Sequence, residues 1–113
     1  MKTSLLLLSL ISLLACHTLV LIEPAQADVD RMKNKYPDLS LDELKQGKQN
    51  FERYCGNCHK HKNPNSRSEK QWSKIVPQMC QKVNKRNNNV LDEKAQQGIL
   101  RYVLSVRGAP KKR

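Results

Sequence analysis

Large rings are scarce in this sequence: one Trp, one Phe and three Tyr among 113 residues. A chain this short and this lean buries little apolar surface, and domains of its size commonly need a staple or a cofactor to fold securely. Acidic residues are few as well, ten Asp and Glu against 21 Lys and Arg, for a formal net charge of +11. No paired carboxylates suggest a hydrolytic pocket, and no Ser-His or Cys-His nucleophile stands out away from residues 55–59. No strand pattern lies near those residues, and neither a second Cys-x-x-Cys nor a His-x-x-x-His is present. These absences weigh against a thioredoxin-type redox pair and against a four-ligand zinc site.

What is present is the run Tyr54-Cys55-Gly56-Asn57-Cys58-His59. Two thiols three residues apart on a helical turn match the two vinyl groups along one edge of a porphyrin, and the next residue is carried beneath the iron. The spacing therefore points to one c-type haem, bound covalently through Cys55 and Cys58, with His59 as its proximal ligand. A zinc site completed by His61 or Cys80, or a disulfide-exchange pair, are the competing readings, and the adjacent His59 favours haem. A flat apolar disc would also supply the missing core, so the chain without haem is expected to be largely unfolded.

A second axial ligand is then required. Met79 is the one Met after the motif, its thioether is a soft neutral donor, and Met opposite His raises a haem potential. A core-filling Met is the bland reading, and Cys80 as thiolate or an open position are the alternatives for the iron. His61, two residues from His59, cannot reach the opposite haem face and reads as a solvated loop histidine. Trp72 either packs or donates its indole N–H to a haem propionate. With Cys16 in the leader and Cys55 and Cys58 on haem, Cys80 is left without a partner, as a buried thiol, an interchain disulfide or an alternative ligand.

The start of the chain reads as an export signal: Lys2, an apolar run over residues 5–22, then Glu23-Pro24 and the small-x-small pattern Ala25-Gln26-Ala27. Cleavage after Ala27 would make residues 1–27 a signal peptide. Two rivals are lipidation at Cys16, through a loose match at Leu13-Leu14-Ala15-Cys16, and retention of the run as a membrane anchor. Residues 28–39 then form an arm or linker, 40–108 one domain, and 109–113 a basic, solvated tail.

Helical spacing organises that domain. Ser40 with Glu43 predicts a capping box, followed by an apolar face at Leu44, Gly47, Phe51, Tyr54 and Cys55. Gly47 costs about 1 kcal/mol in a helix interior, which is most easily explained if another helix crosses there. A second helix is expected over residues 68–83 with Trp72, Ile75, Val76, Met79 and Val83 on one face, kinked or restarted at Pro77. A basic, Asn-rich loop over 82–89 leads to a third helix, capped by Asp92, lined by Ala95, Ile99, Tyr102, Val103 and Val106, and ended by Gly108.

The Cys-x-x-Cys-His motif, Trp72 with Met79 seven positions on, and the helix carrying Ile99 and Tyr102 together resemble the small bacterial class I c-type cytochromes, over residues 41–106. The resemblance implies an all-α fold of three main helices around one haem, with His59 and Met79 as axial ligands. It also implies that the helix before the motif crosses the C-terminal helix where a Gly and aromatic residues meet, matching Gly47, Phe51 and Tyr102. Pro77 and Cys80 depart from the family pattern on the distal side. The function expected is a periplasmic electron carrier, not an enzyme, working between redox proteins, with its basicity steering it to acidic partner surfaces and not to nucleic acid. The alternatives are a haem enzyme or gas or peroxide sensor with a labile or absent Met79, and a subunit held by a periplasmic dehydrogenase. Membrane contact is expected only if the leader is retained or Cys16 is lipidated.

Overall fold

The structure is a computed structural model that describes residues 21–55 and 63–109. Among the described residues there is no strand; the chain forms four α-helices, α1 (Gln26–Met32), α2 (Leu41–Asn50), α3 (Glu69–Arg86) and α4 (Glu93–Val106). Three of these are the helices the spacing predicts. The fourth, α1, takes in the first five residues, 28–32, of the stretch expected to be a linker. It is ordered because Val29 is buried in the common core, and Arg31 reaches across to donate to the Ser105 carbonyl of α4 at 3.0 Å.

Each long helix begins at a side chain that satisfies its orphan amides. Ser40 Oγ accepts from the Glu43 N–H at 3.1 Å, Ser68 and Gln71 form a reciprocal box, and Asp92 accepts from Ala95 N–H at 2.8 Å. The box expected at Ser40 is only half made. Glu43 turns its carboxylate to Arg101 at 3.0 Å, a charge-assisted bond that outcompetes a neutral amide.

Pro77 neither ends nor restarts α3, which runs through it. Pro77 and Ser73 both lie on the exposed face. Water can serve the Ser73 carbonyl that the missing N–H leaves unpaired, which softens the cost of an interior proline. The helix extends to Arg86, so the expected loop over 82–89 shrinks to a tight turn. Asn84 closes it, donating to the Leu91 carbonyl and accepting from its N–H, both at 2.8 Å, while Asn88 and Asn89 take the left-handed conformations (φ 52° and 56°) that Asn tolerates.

The crossing of α2 and α4 sets the architecture. Gly47 lies directly on Gly98: a Cβ at Gly47 would press on the Gly98 carbonyl, 2.7 Å from its carbon, and stand 3.0 Å from Tyr102 Cβ. Only glycine lets the two backbones approach this closely. Beside the crossing, Leu44, Phe51, Ile99, Tyr102, Val103 and Val106 are buried, joined by Trp72, Val76, Cys80 and Val83 of α3.

Candidate functional site

The buried face of α2 carries Leu44, Gly47 and Phe51, and continues to Cys55 through a π-helical turn, Phe51–Cys55. Such turns are rare and recur at functional sites. The Phe51 N–H is shared between the Gly47 and Lys48 carbonyls as the helix widens. The Phe51 ring is wedged between Trp72, 6.3 Å away and nearly perpendicular, and Tyr102, 6.1 Å away. Cys55 is buried at the end of this turn, at 6 % exposure.

Cys58, His59 and His61 lie outside the described residues, as does most of the leader and the end of the basic tail. The two ends of the segment that carries them are nevertheless fixed. On the entry side stands the buried pair Phe51 and Cys55. On the exit side a 3₁₀ turn, Pro64–Ser66, is begun by Asn63, whose side chain accepts from Asn65 N–H at 2.9 Å. Three long-range bonds then hold that turn down. Trp72 Nε1 donates to the Pro64 carbonyl at 2.8 Å, Gly108 N–H to Asn65 Oδ1 at 2.7 Å, and Arg107 Nε to the Arg67 carbonyl at 2.8 Å.

Trp72 is therefore a clamp. Its indole donor, considered from sequence for a propionate, is engaged by a backbone carbonyl, and the ring is buried at 1 % exposure. Sequence reasoning singled out Trp72 but missed its partner, because a contact from Pro64 to Trp72 leaves no periodic trace. The bond between Gly108 and Asn65 was equally silent, Gly108 being legible only as the end of the third helix.

Met79 sits on α3 seven residues after Trp72, which puts it on nearly the same face, about 10 Å further along the axis. It is half-buried and packed against the core, while its neighbours Val76, Cys80 and Val83 are buried. Cys80 is fully enclosed, and burial pushes its thiol up to about 11. An interchain disulfide is closed to a side chain with no exposed surface.

Arg101 ties the outer layer together. Its guanidinium bonds Asp38 at 3.3 Å and Glu43 at 3.0 Å and lies 4.6 Å from the Tyr36 ring centre. Asp38 is held below its ordinary range by its own backbone N–H and by Arg101. Among the described residues no cluster of three His, Cys, Asp or Glu could hold a metal ion. A cleft of about 600 Å³ runs along α2 from Ser40 to Asn50 and against the first half of α4, with Gln46, Asn50 and Lys94 among its lining residues. Comparison with family models, with curated proteins and with solved structures returned no match.

Proposed function

We propose that the protein is a monohaem c-type cytochrome of the class I kind, exported to the periplasm, that carries single electrons between redox proteins. The observation that carries this reading is the Cys55-x-x-Cys58-His59 motif, entered from a helix whose last turn buries Cys55. Support comes from the surroundings. The donor set is chemically suited to haem iron, with thiols for the porphyrin edge, an imidazole, and the half-buried thioether of Met79. The Gly47 and Gly98 crossing with Phe51 and Tyr102 beside it is the arrangement the family resemblance implies.

In this reading Cys55 and Cys58 would hold the haem, and His59 and Met79 would be its axial ligands. When bound, the group supplies a one-electron couple whose potential the axial ligands and burial tune. The chain's own part is to hold donors and walls still. Phe51 is fixed between two rings, and the segment leaving the motif is pinned through Pro64 to Trp72. Rigid donors keep the cost of changing oxidation state low. The outer face of α3 presents Lys70, Lys74, Lys82 and Lys85, all exposed, which suits brief docking to an acidic partner and predicts slower electron transfer as salt rises.

The test is the absorption spectrum of the protein made with haem-maturation machinery, oxidised and reduced, with carbon monoxide added to the reduced form. Wild type is expected to show a weak near-infrared sulfur-to-iron band and to refuse carbon monoxide, whereas Met79→Ala loses the band and binds the gas. A wild type without the band that binds carbon monoxide readily would move the enzyme or sensor reading ahead.

A further inference from the structure

The pattern Ala25-Gln26-Ala27 places a leader cut between Ala27 and Asp28, which is inside the first turn of α1. The residues such a cut would remove are built into the fold. Leu21 is buried in the common core at 6 % exposure, and Pro24 is buried as well. The Ile22 carbonyl accepts from Tyr102 Oη at 2.8 Å, and Tyr102 has no exposed surface of its own. Glu23 pairs with Lys48 of α2 at 3.1 Å. Ala25 closes the start of α1, its N–H donating to Asp28 Oδ2 at 2.7 Å and its carbonyl accepting from Asp28 N–H at 2.9 Å.

Cutting after Ala27 would empty the Leu21 site and strip Tyr102 of its acceptor. It would also put a charged amino terminus on Asp28, whose own side chain is buried at 4 % exposure and paired with Arg31. A segment destined for removal has no physical reason to make core, hydrogen-bond and ion-pair contacts to two helices at once. We propose that the chain is not cut there: residues 21–27 remain in the mature protein as a strap across α2 and α4. The apolar residues that precede Leu21 in the sequence then stay attached too, and would hold the chain to a lipid bilayer. Among the described residues no helix is long and apolar enough to cross a membrane.

The experiment is expression of the full chain in a bacterial host, separation of soluble and membrane fractions, and intact-mass and amino-terminal analysis of the product, for wild type and Leu21→Ala. The inference predicts membrane-bound protein released only by detergent, a mass that includes residues 5–27, and a melting temperature lowered by about 5 °C in Leu21→Ala. Soluble protein beginning at Asp28, with identical melting of the two versions, would overturn it. A chain beginning at a lipid-bearing Cys16 would also overturn the tether. Whether the same sample carries a haem absorption band bears on the electron-carrier reading and leaves this outcome unaffected.

Discussion

At the scale of single residues, the two glycines at the helix crossing are not equivalent. A Cβ on Gly47 meets the Gly98 carbonyl, which is backbone and cannot rotate away, whereas a Cβ on Gly98 comes no closer than 3.9 Å to Gly47 Cα. Gly47→Ala is therefore expected to destabilise by about 1–3 kcal/mol despite the gain in helix propensity. Gly98→Ala is expected to be neutral or to stabilise by up to about 1 kcal/mol. Urea unfolding of both variants checks this, and a gain in stability in Gly47→Ala equal to that in Gly98→Ala would show that the helices do not touch there. Four groups govern behaviour in alkali, the first being Cys80, whose thiol burial pushes up to about 11. Burial raises the Tyr102 phenol, with the charges of Glu52, Glu23 and Asp28 adding to it, and burial raises Tyr36 against the pull of Arg101. Lys48 is raised by its bond to Glu52, against desolvation, and by Glu23. With folded pKa values above the unfolded ones, the unfolded chain gives up protons first, so the stability these groups contribute is whole below pH about 9 and falls beyond it, first through Cys80 and, above pH about 10, through Tyr102, Tyr36 and Lys48 as well. Urea midpoints measured from pH 7 upward are expected to decline above pH about 9 and more steeply above pH about 10, the second part being shallower in Tyr102→Phe.

At the scale of elements, the turn after the motif depends on one side chain. Trp72→Phe keeps an aromatic beside Phe51 but leaves the Pro64 carbonyl without its donor, at an expected cost of about 1–3 kcal/mol. The local consequence is specific: amides of Asn65 and Ser66 should exchange hydrogen much faster in the variant, while those of the α2 and α4 crossing should not. How much of this was legible in the sequence depended on the kind of signal. Caps at Ser40 and Asp92 and the three helices are local and periodic, and they were readable, as was the reason for Gly47, because its cost demanded a neighbour. The end of α3 was misplaced since Lys and Asn suit a loop, yet Lys82 and Lys85 are exposed on a helix whose Val83 is buried. The arm over 28–39 read as loose because its apolar residues are few. Its order comes from Val29 in the core, from Arg31 on Ser105, and from Arg101 on Asp38 and Tyr36, contacts that span tens of residues. Of the site, Cys55, Met79 and Trp72 were named from spacing; the partners that hold Trp72 were not, for the same reason.

For the whole molecule, the central fact is a small core built mostly by three helices, with one end of α2 and the start of α3 converging on the segment that bears the Cys-x-x-Cys-His motif. Domains of this size gain much of their stability from whatever group they enclose. In the cytochrome reading, omission of haem should leave a weakly folded chain, seen as loss of helical circular dichroism relative to the haem-bearing protein. The measurement that bears most directly on that reading is the intact mass of the protein unfolded in acid, after expression with haem-maturation machinery, for wild type and for Cys55→Ser with Cys58→Ser. The account predicts that wild type retains the added mass of one haem through denaturation and that the double variant does not. A wild type whose mass equals that of the polypeptide alone, under conditions where a control cytochrome is loaded, would contradict it.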